Sequence, residues 1–108
     1  MPSTTTWKQL TIHTSESSHW KHQPLYQEIL GMARQQELMG VTVMQAIAGY
    51  GKHGVFRTLN VLDAASESSD LPLVITVIDR EDIISHFYTS LQPLLKNTFV
   101  TCQTIEVW

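Results

Sequence analysis

Apolar and polar side chains alternate along residues 7–14, with Leu10 and Ile12 on one side and Gln9, Thr11 and His13 on the other. A period of two in a β-branched stretch predicts a strand with one buried face. A polar turn follows at 15–18. From Pro24 the period lengthens: Leu25, Ile29, Met32, Ala33 and Gln36 fall on one stripe, which predicts a helix over 24–38. Pro24 suits the first helical position, where its missing N–H would have no partner. Gly40 is the expected stop. Gly31, inside the helix, costs about 1 kcal/mol relative to alanine, which implies close packing there. Residues 41–48 are apolar on both faces and predict a second strand, covered on both sides. Residues 49–70 then run from Gly49-Tyr50-Gly51 to Ser66, Glu67, Ser68, Ser69 and Asp70 without periodicity. A loop this long in a compact domain is usually functional or disordered, and the segment around 57–69 is expected to be weakly ordered. Leu73 to Ile78 form the strongest strand pattern. Asp79 is placed to cap a second helix, with Glu81 and Asp82 in its favourable first turn. Ile83, Ile84, Phe87, Leu91, Leu94 and Leu95 make the buried stripe of that helix, and Pro93 ends or kinks it. Residues 99–108 read as the last strand.

The order strand, helix, strand, strand, helix, strand is the split βαβ pattern of the α+β ferredoxin-like sandwich, βαββαβ. It predicts an antiparallel sheet, two helices on one face, and a long loop between the second and third strands. Two helices cover only one sheet face. The other carries Trp7, Met44 and either Val74 or Val77, so a further copy of the chain is expected there.

The 108 residues fit one domain spanning 1–108. With 43% hydrophobic and 16% charged residues, the composition is that of a globular protein. Ten acidic against seven basic residues give a net charge of -3, which argues against nucleic acid as a partner. Cys102 is the single cysteine, so no internal disulfide forms, as suits the cytoplasm. No apolar run is long enough to insert in a membrane, and the first six residues lack a signal-peptide core.

Catalytic signatures are missing from the sequence, and the chain is expected not to be an enzyme. Asp79, Glu81 and Asp82 are accounted for by helix capping, and neither a Gly-x-Ser-x-Gly elbow nor a His-Glu-x-x-His pair occurs. His19 and His22 are three apart but precede the helix, and no carboxylate or cysteine completes a metal set. Cys102, within a strand, reads as a buried, inert thiol. Ser66, Ser68 and Ser69 read first as a solvated loop. Gly49-Tyr50-Gly51 could bring backbone N–H groups against a phosphate, with Lys52 and His53 adding charge and donors. An isolated Gly-x-Gly is a weak signal, and from the residues alone a tight exit from the second strand is the favoured reading of these glycines.

Four segments carry a family resemblance: Pro24-Leu25-Tyr26; Gly40 to Gly51; Asp70-Leu71-Pro72-Leu73-Val74-Ile75 with Val77-Ile78-Asp79; and Phe99-Val100-Thr101 with Ile105-Glu106-Val107. In their order and spacing they resemble the PII-like proteins of unknown function. That resemblance implies a ferredoxin-like homotrimer for signal transduction. More distantly, Gly49 to His53 are similar to the start of the T-loop of PII signal proteins, which bind adenine nucleotides between subunits. Carried over, this implies a cleft site of Gly49, Tyr50, Gly51, Lys52 and His53, with Thr42 near its floor. The ligand would be AMP, ADP or ATP. The 49–70 loop would act on a protein target such as a transporter or an enzyme.

The chain departs from these relatives in several places. Gln45-Ala46 stand where Arg-Gly is usual, Arg57 replaces a histidine, and Thr98 a glycine. Lys96-Asn97-Thr98 lack the glycines of the PII phosphate loop, which implies weak affinity or a ligand with fewer phosphates than ATP. Two other functions fit the same fold: a ligand-free protein-interaction module, and a metal-handling trimer similar to the divalent-cation-tolerance family.

Overall fold

The computed structural model describes residues 5–50, 56–58, 71–96 and 98–108. Strand β1 (Trp7–Ser15) leads to a short hairpin, β2 (His19–Trp20) and β3 (Gln23–Pro24), and then to helix α1 (Leu25–Gln35). Strand β4 (Gly40–Gln45) is followed by β5 (Ala48–Tyr50) and β6 (Phe56–Thr58). Strand β7 (Pro72–Arg80), helix α2 (Glu81–Leu91), one 3₁₀ turn (Gln92–Leu94) and strand β8 (Phe99–Ile105) complete the chain. The main sheet has the order β4-β7-β1-β8, and every pairing in it is antiparallel. This is the predicted ferredoxin-like βαββαβ arrangement.

Alternation along the strands sorts the two faces. Leu10 and Ile12 of β1 lie beside Val77 and Ile75 of β7, and all four are buried. Leu25, Ile29 and Ala33 of α1 and Ile84, Phe87 and Leu91 of α2 close over them. The helical stripes read from the sequence therefore form the core. Val77 belongs to it, whereas Val74 faces the side without helices.

Several local expectations are corrected. Helix α1 begins after Pro24, which caps it with φ -58° and ψ 136° and pairs with His19 in the hairpin. That hairpin was not legible in the sequence; its two-residue connection places Lys21 at φ 58°. Helix α1 ends at Gln35, short of the expected 38, and Gly40 does not stop it. Glu37 adopts φ 58°; its N–H donates to Arg34 O, and Leu38 N–H to Ala33 O. These two bonds make a Schellman cap with glutamate in the left-handed position usually held by glycine. Leu38 packs on the core beneath it. Gly31 is exposed, and a Cβ there would meet nothing within 4 Å, so no close packing explains it.

Asp79 does not cap α2. That position is Arg80, and Asp79 is the last buried residue of β7, 5% exposed. Its Oδ2 accepts the N–H of Met39 at 2.9 Å and its Oδ1 that of Arg80 at 2.7 Å. A strand whose alternate residues point at the core carries its parity to its end, so Asp79 turns inward as Val77 does.

The second strand stops at Gln45, not at residue 48. Ala46 N–H donates to Pro72 O at 2.8 Å, but Pro72 has no N–H to return, so the ladder ends on that row. The final strand likewise ends at Ile105 rather than running to 108.

Candidate functional site

The site expected from the sequence falls in two places. Thr42 lies mid-way along β4, exposed, on the face opposite the helices. Its partner is Thr76 of β7, which faces Thr11 of β1, which in turn faces Thr101 of β8. Four threonines thus cross the sheet in one row. On one side of it lies the row Met44, Val74, His13 and Phe99; on the other lie Gly40, Ile78, Gln9 and Gln103. Met44 is 60% and Phe99 55% exposed, and the rings of His13 and Phe99 sit 5.7 Å apart. Of the apolar groups expected on the second face, Met44 and Val74 lie in this row, at the end where β4 leaves the sheet, whereas Trp7 lies at the opposite end, beside Arg80 and Ile105.

Gly49 and Tyr50 lie in β5, a second, two-stranded sheet with β6, where Gly49 pairs with Arg57 and Tyr50 with Phe56. The sequence reading left 49–70 as loop. Its first part is instead a hairpin, and the pairing brings the backbone of Arg57 opposite Gly49. Gly51, Lys52 and His53 lie outside the described residues, as do Ser66, Ser68, Ser69 and most of the segment expected to be weakly ordered.

Sequence reasoning missed Glu16, taken as part of a polar turn. Its Oε1 accepts the N–H of Leu71 at 3.1 Å, and its Oε2 accepts the side-chain amide of Gln45 at 2.6 Å. Its own N–H donates to Leu71 O at 3.1 Å. The partners are 29 and 55 residues away, so no local pattern could reveal them.

A shallow groove of about 250 Å³ opens between α2 and β8, lined by Leu10, Ile84, Tyr88, Val100 and Cys102 among others; Cys102, expected to be buried, is exposed. Its walls are mostly apolar and carry no acid–base pair. His19 lies in the β2–β3 hairpin with Nδ1 2.5 Å from Ser17 O, and His22 in its turn. Among the described residues no three His, Cys, Asp or Glu side chains gather as a metal set would. No helix among them is long and apolar enough to cross a membrane.

A four-stranded antiparallel sheet in this order, with two helices on one face and a hairpin rising between β4 and β7, defines an α+β fold of the PII-like kind. The solved structure of CPII, a nitrogen regulatory PII-like protein from Thiomonas intermedia K12 bound to ADP, AMP and bicarbonate, is similar, with a TM-score of 0.65. It shares 17% identity, over 95% of this chain and 93% of that one. The chain belongs to the DUF190 family of uncharacterised proteins, whose model matches residues 7–107. A UPF0166 protein of Aquifex aeolicus is 35% identical over 100 residues, 93% of this chain and 91% of its own length. A UPF0166 protein of Methanocaldococcus jannaschii is 29% identical over 90 residues, 83% of this chain and 80% of its own length.

Proposed function

We propose that the protein is a non-catalytic, PII-like regulatory homotrimer that binds an adenine nucleotide in clefts between subunits. The nucleotide-dependent state of the 49–70 segment is then read by a protein target. The observation that carries this reading is the β5–β6 hairpin. Gly49 and Tyr50 lie in its first strand, shortly after β4, in a fold whose solved counterpart holds ADP and AMP. Glycine at 49 and, by sequence, at 51 would let the backbone approach an anion closely, and Lys52 would add a positive charge. Exposed Met44 and Phe99, with half-buried Val74 between them, support association of copies through the open face, where burying apolar side chains is favourable. Cytoplasmic location is part of the same proposal.

Calorimetry with AMP, ADP, ATP and cyclic AMP tests it, on wild type and on Gly51→Val combined with Lys52→Ala. One adenine nucleotide should bind wild type. The double variant should bind at least about tenfold more weakly, the loss expected for one charge-assisted contact. Absence of binding by wild type at about 1 mM, where the binding free energy is only about -4 kcal/mol, would leave the interaction module as the better account. Equal binding by wild type and variant would put the site elsewhere in the trimer.

A further inference from the structure

Both stems of the segment 46–70 meet one side chain. Gln45 is the last residue of β4, and Leu71 immediately precedes β7. Glu16 holds both: Gln45 by its side-chain amide at 2.6 Å, and Leu71 by its backbone N–H at 3.1 Å. Beside it, the Ala46–Pro72 bond is single, since proline offers no donor. A carboxylate is suited to this place because it is acceptor-only and has two oxygens, one for each donor. Leu71 is itself buried, so its N–H has little access to water if the acceptor goes.

We infer that Glu16 is a positioning residue: by fastening both stems of the 46–70 segment to the end of β1, it fixes where the β5–β6 hairpin stands relative to the sheet. In doing so it fixes where the backbone of Gly49 and Tyr50 is offered to a ligand. A merely local role would confine the effect of Glu16 to its own partners. A positioning role extends it to the hairpin, whose strands Ala48–Tyr50 and Phe56–Thr58 it does not touch through any bond described above.

Hydrogen exchange on the full chain separates the two, using wild type, Glu16→Ala and Glu16→Gln. In Glu16→Ala the amides of 48–50 and 56–58 should exchange about tenfold faster, the change expected when one hydrogen bond to a charged group no longer opposes opening. The amides of Ile12 and Ile75 in the sheet should keep their protection. Glu16→Gln should return the hairpin to within about twofold of wild type, because its carbonyl still accepts from Leu71 and the Gln45 amide can turn to present its oxygen. Faster exchange at Leu71 alone would make Glu16 a local cap and overturn the inference. Faster exchange throughout, Ile12 and Ile75 included, would make it a stability residue and equally overturn it. So would a glutamine variant as fast as the alanine one. The second arm rests on the nucleotide reading: the Kd for ADP should rise about tenfold in Glu16→Ala and recover in Glu16→Gln. Faster hairpin exchange with unchanged ADP affinity would sever Glu16 from the ligand. A wild type that binds no ADP refutes the nucleotide reading and leaves the exchange comparison to decide on Glu16.

Discussion

Replacing Asp79 by alanine removes the acceptor of two backbone N–H groups, those of Met39 and Arg80. The two losses are unequal. Both bonds are part-buried, but that of Arg80 N–H is local, to the preceding residue, whereas that of Met39 N–H ties the start of β4 to the end of β7 across 40 residues. A part-buried donor left unpaired costs about 1–3 kcal/mol, and a bond to a charged acceptor lies in the upper part of that range. The expected loss for Asp79→Ala is therefore about 2 kcal/mol, or roughly 8 °C in Tm for a domain of this size. Asp79→Asn keeps one oxygen, and its loss should be about half. Urea unfolding at fixed protomer concentration measures both variants, since association would otherwise contribute to the apparent stability. Exchange data then show where the damage falls. On the structure it falls on the Met39 amide, at the junction of α1 and β4. On the capping role read from the sequence it would fall on the first turn of α2. A loss below about 0.5 kcal/mol, or faster exchange at Asp82 and Ile83 with Met39 unchanged, refutes the buried-acceptor argument.

Gly31→Ala should raise stability by about 0.5–1 kcal/mol in urea unfolding, because the new methyl meets no neighbour and the helix gains a better former. Glu37→Gly should also stabilise, by about 0.5 kcal/mol, since relief of the left-handed strain of about 1–2 kcal/mol outweighs the extra chain entropy of glycine. Neither effect on urea midpoints should depend on added nucleotide. Thr76→Glu puts a charge in the middle of the open face, flanked by Thr42 and Thr11. Sedimentation equilibrium should show the proposed trimer of wild type giving way to monomer, with an unchanged circular dichroism spectrum. A trimer in the variant would mean that copies meet elsewhere.

What the sequence made legible was what local periodicity encodes. Leu10 and Ile12 at a spacing of two, and Ile84, Phe87 and Leu91 at helical spacing, define the buried faces without knowledge of any partner. What it concealed were choices between interactions of similar local appeal. Asp79 before Glu81 and Asp82 has the composition of a helix cap, yet strand parity turned it inward, and a donor from another element took it up. Gly40 looked like the natural stop for α1. The helix instead ended at Gln35, because the Schellman bonds and the packing of Leu38 on the core offset the strain at Glu37. Gly31 suggested tight packing and has open space above it.

The same division runs through the candidate site. Gly49 and Tyr50 were visible because glycine around an aromatic residue is a local signal, and the structure adds that they belong to a hairpin. Glu16 gave no signal, since a glutamate among serines is what any solvated turn contains. Its significance comes from topology alone: β1 lies beside β7, β7 beside β4, and the end of β1 therefore reaches both stems of the segment inserted between β4 and β7. A ferredoxin-like sheet that carries a long insertion between its second and third core strands exits and re-enters at neighbouring strand ends. The residue just past the end of the first core strand is then the nearest place from which one side chain can hold both. If Glu16 does position the hairpin, its counterpart in other proteins of this fold should be found by place, one residue beyond that strand, and by the ability to accept two hydrogen bonds. Gln45 supplies one of the two donors here. An arginine at that position would meet the same carboxylate as an ion pair. Gln45→Arg should then keep the hairpin amides at wild-type exchange rates, whereas Gln45→Leu should speed them by several-fold. Equal rates in Gln45→Leu and wild type would show that Leu71 alone carries the coupling.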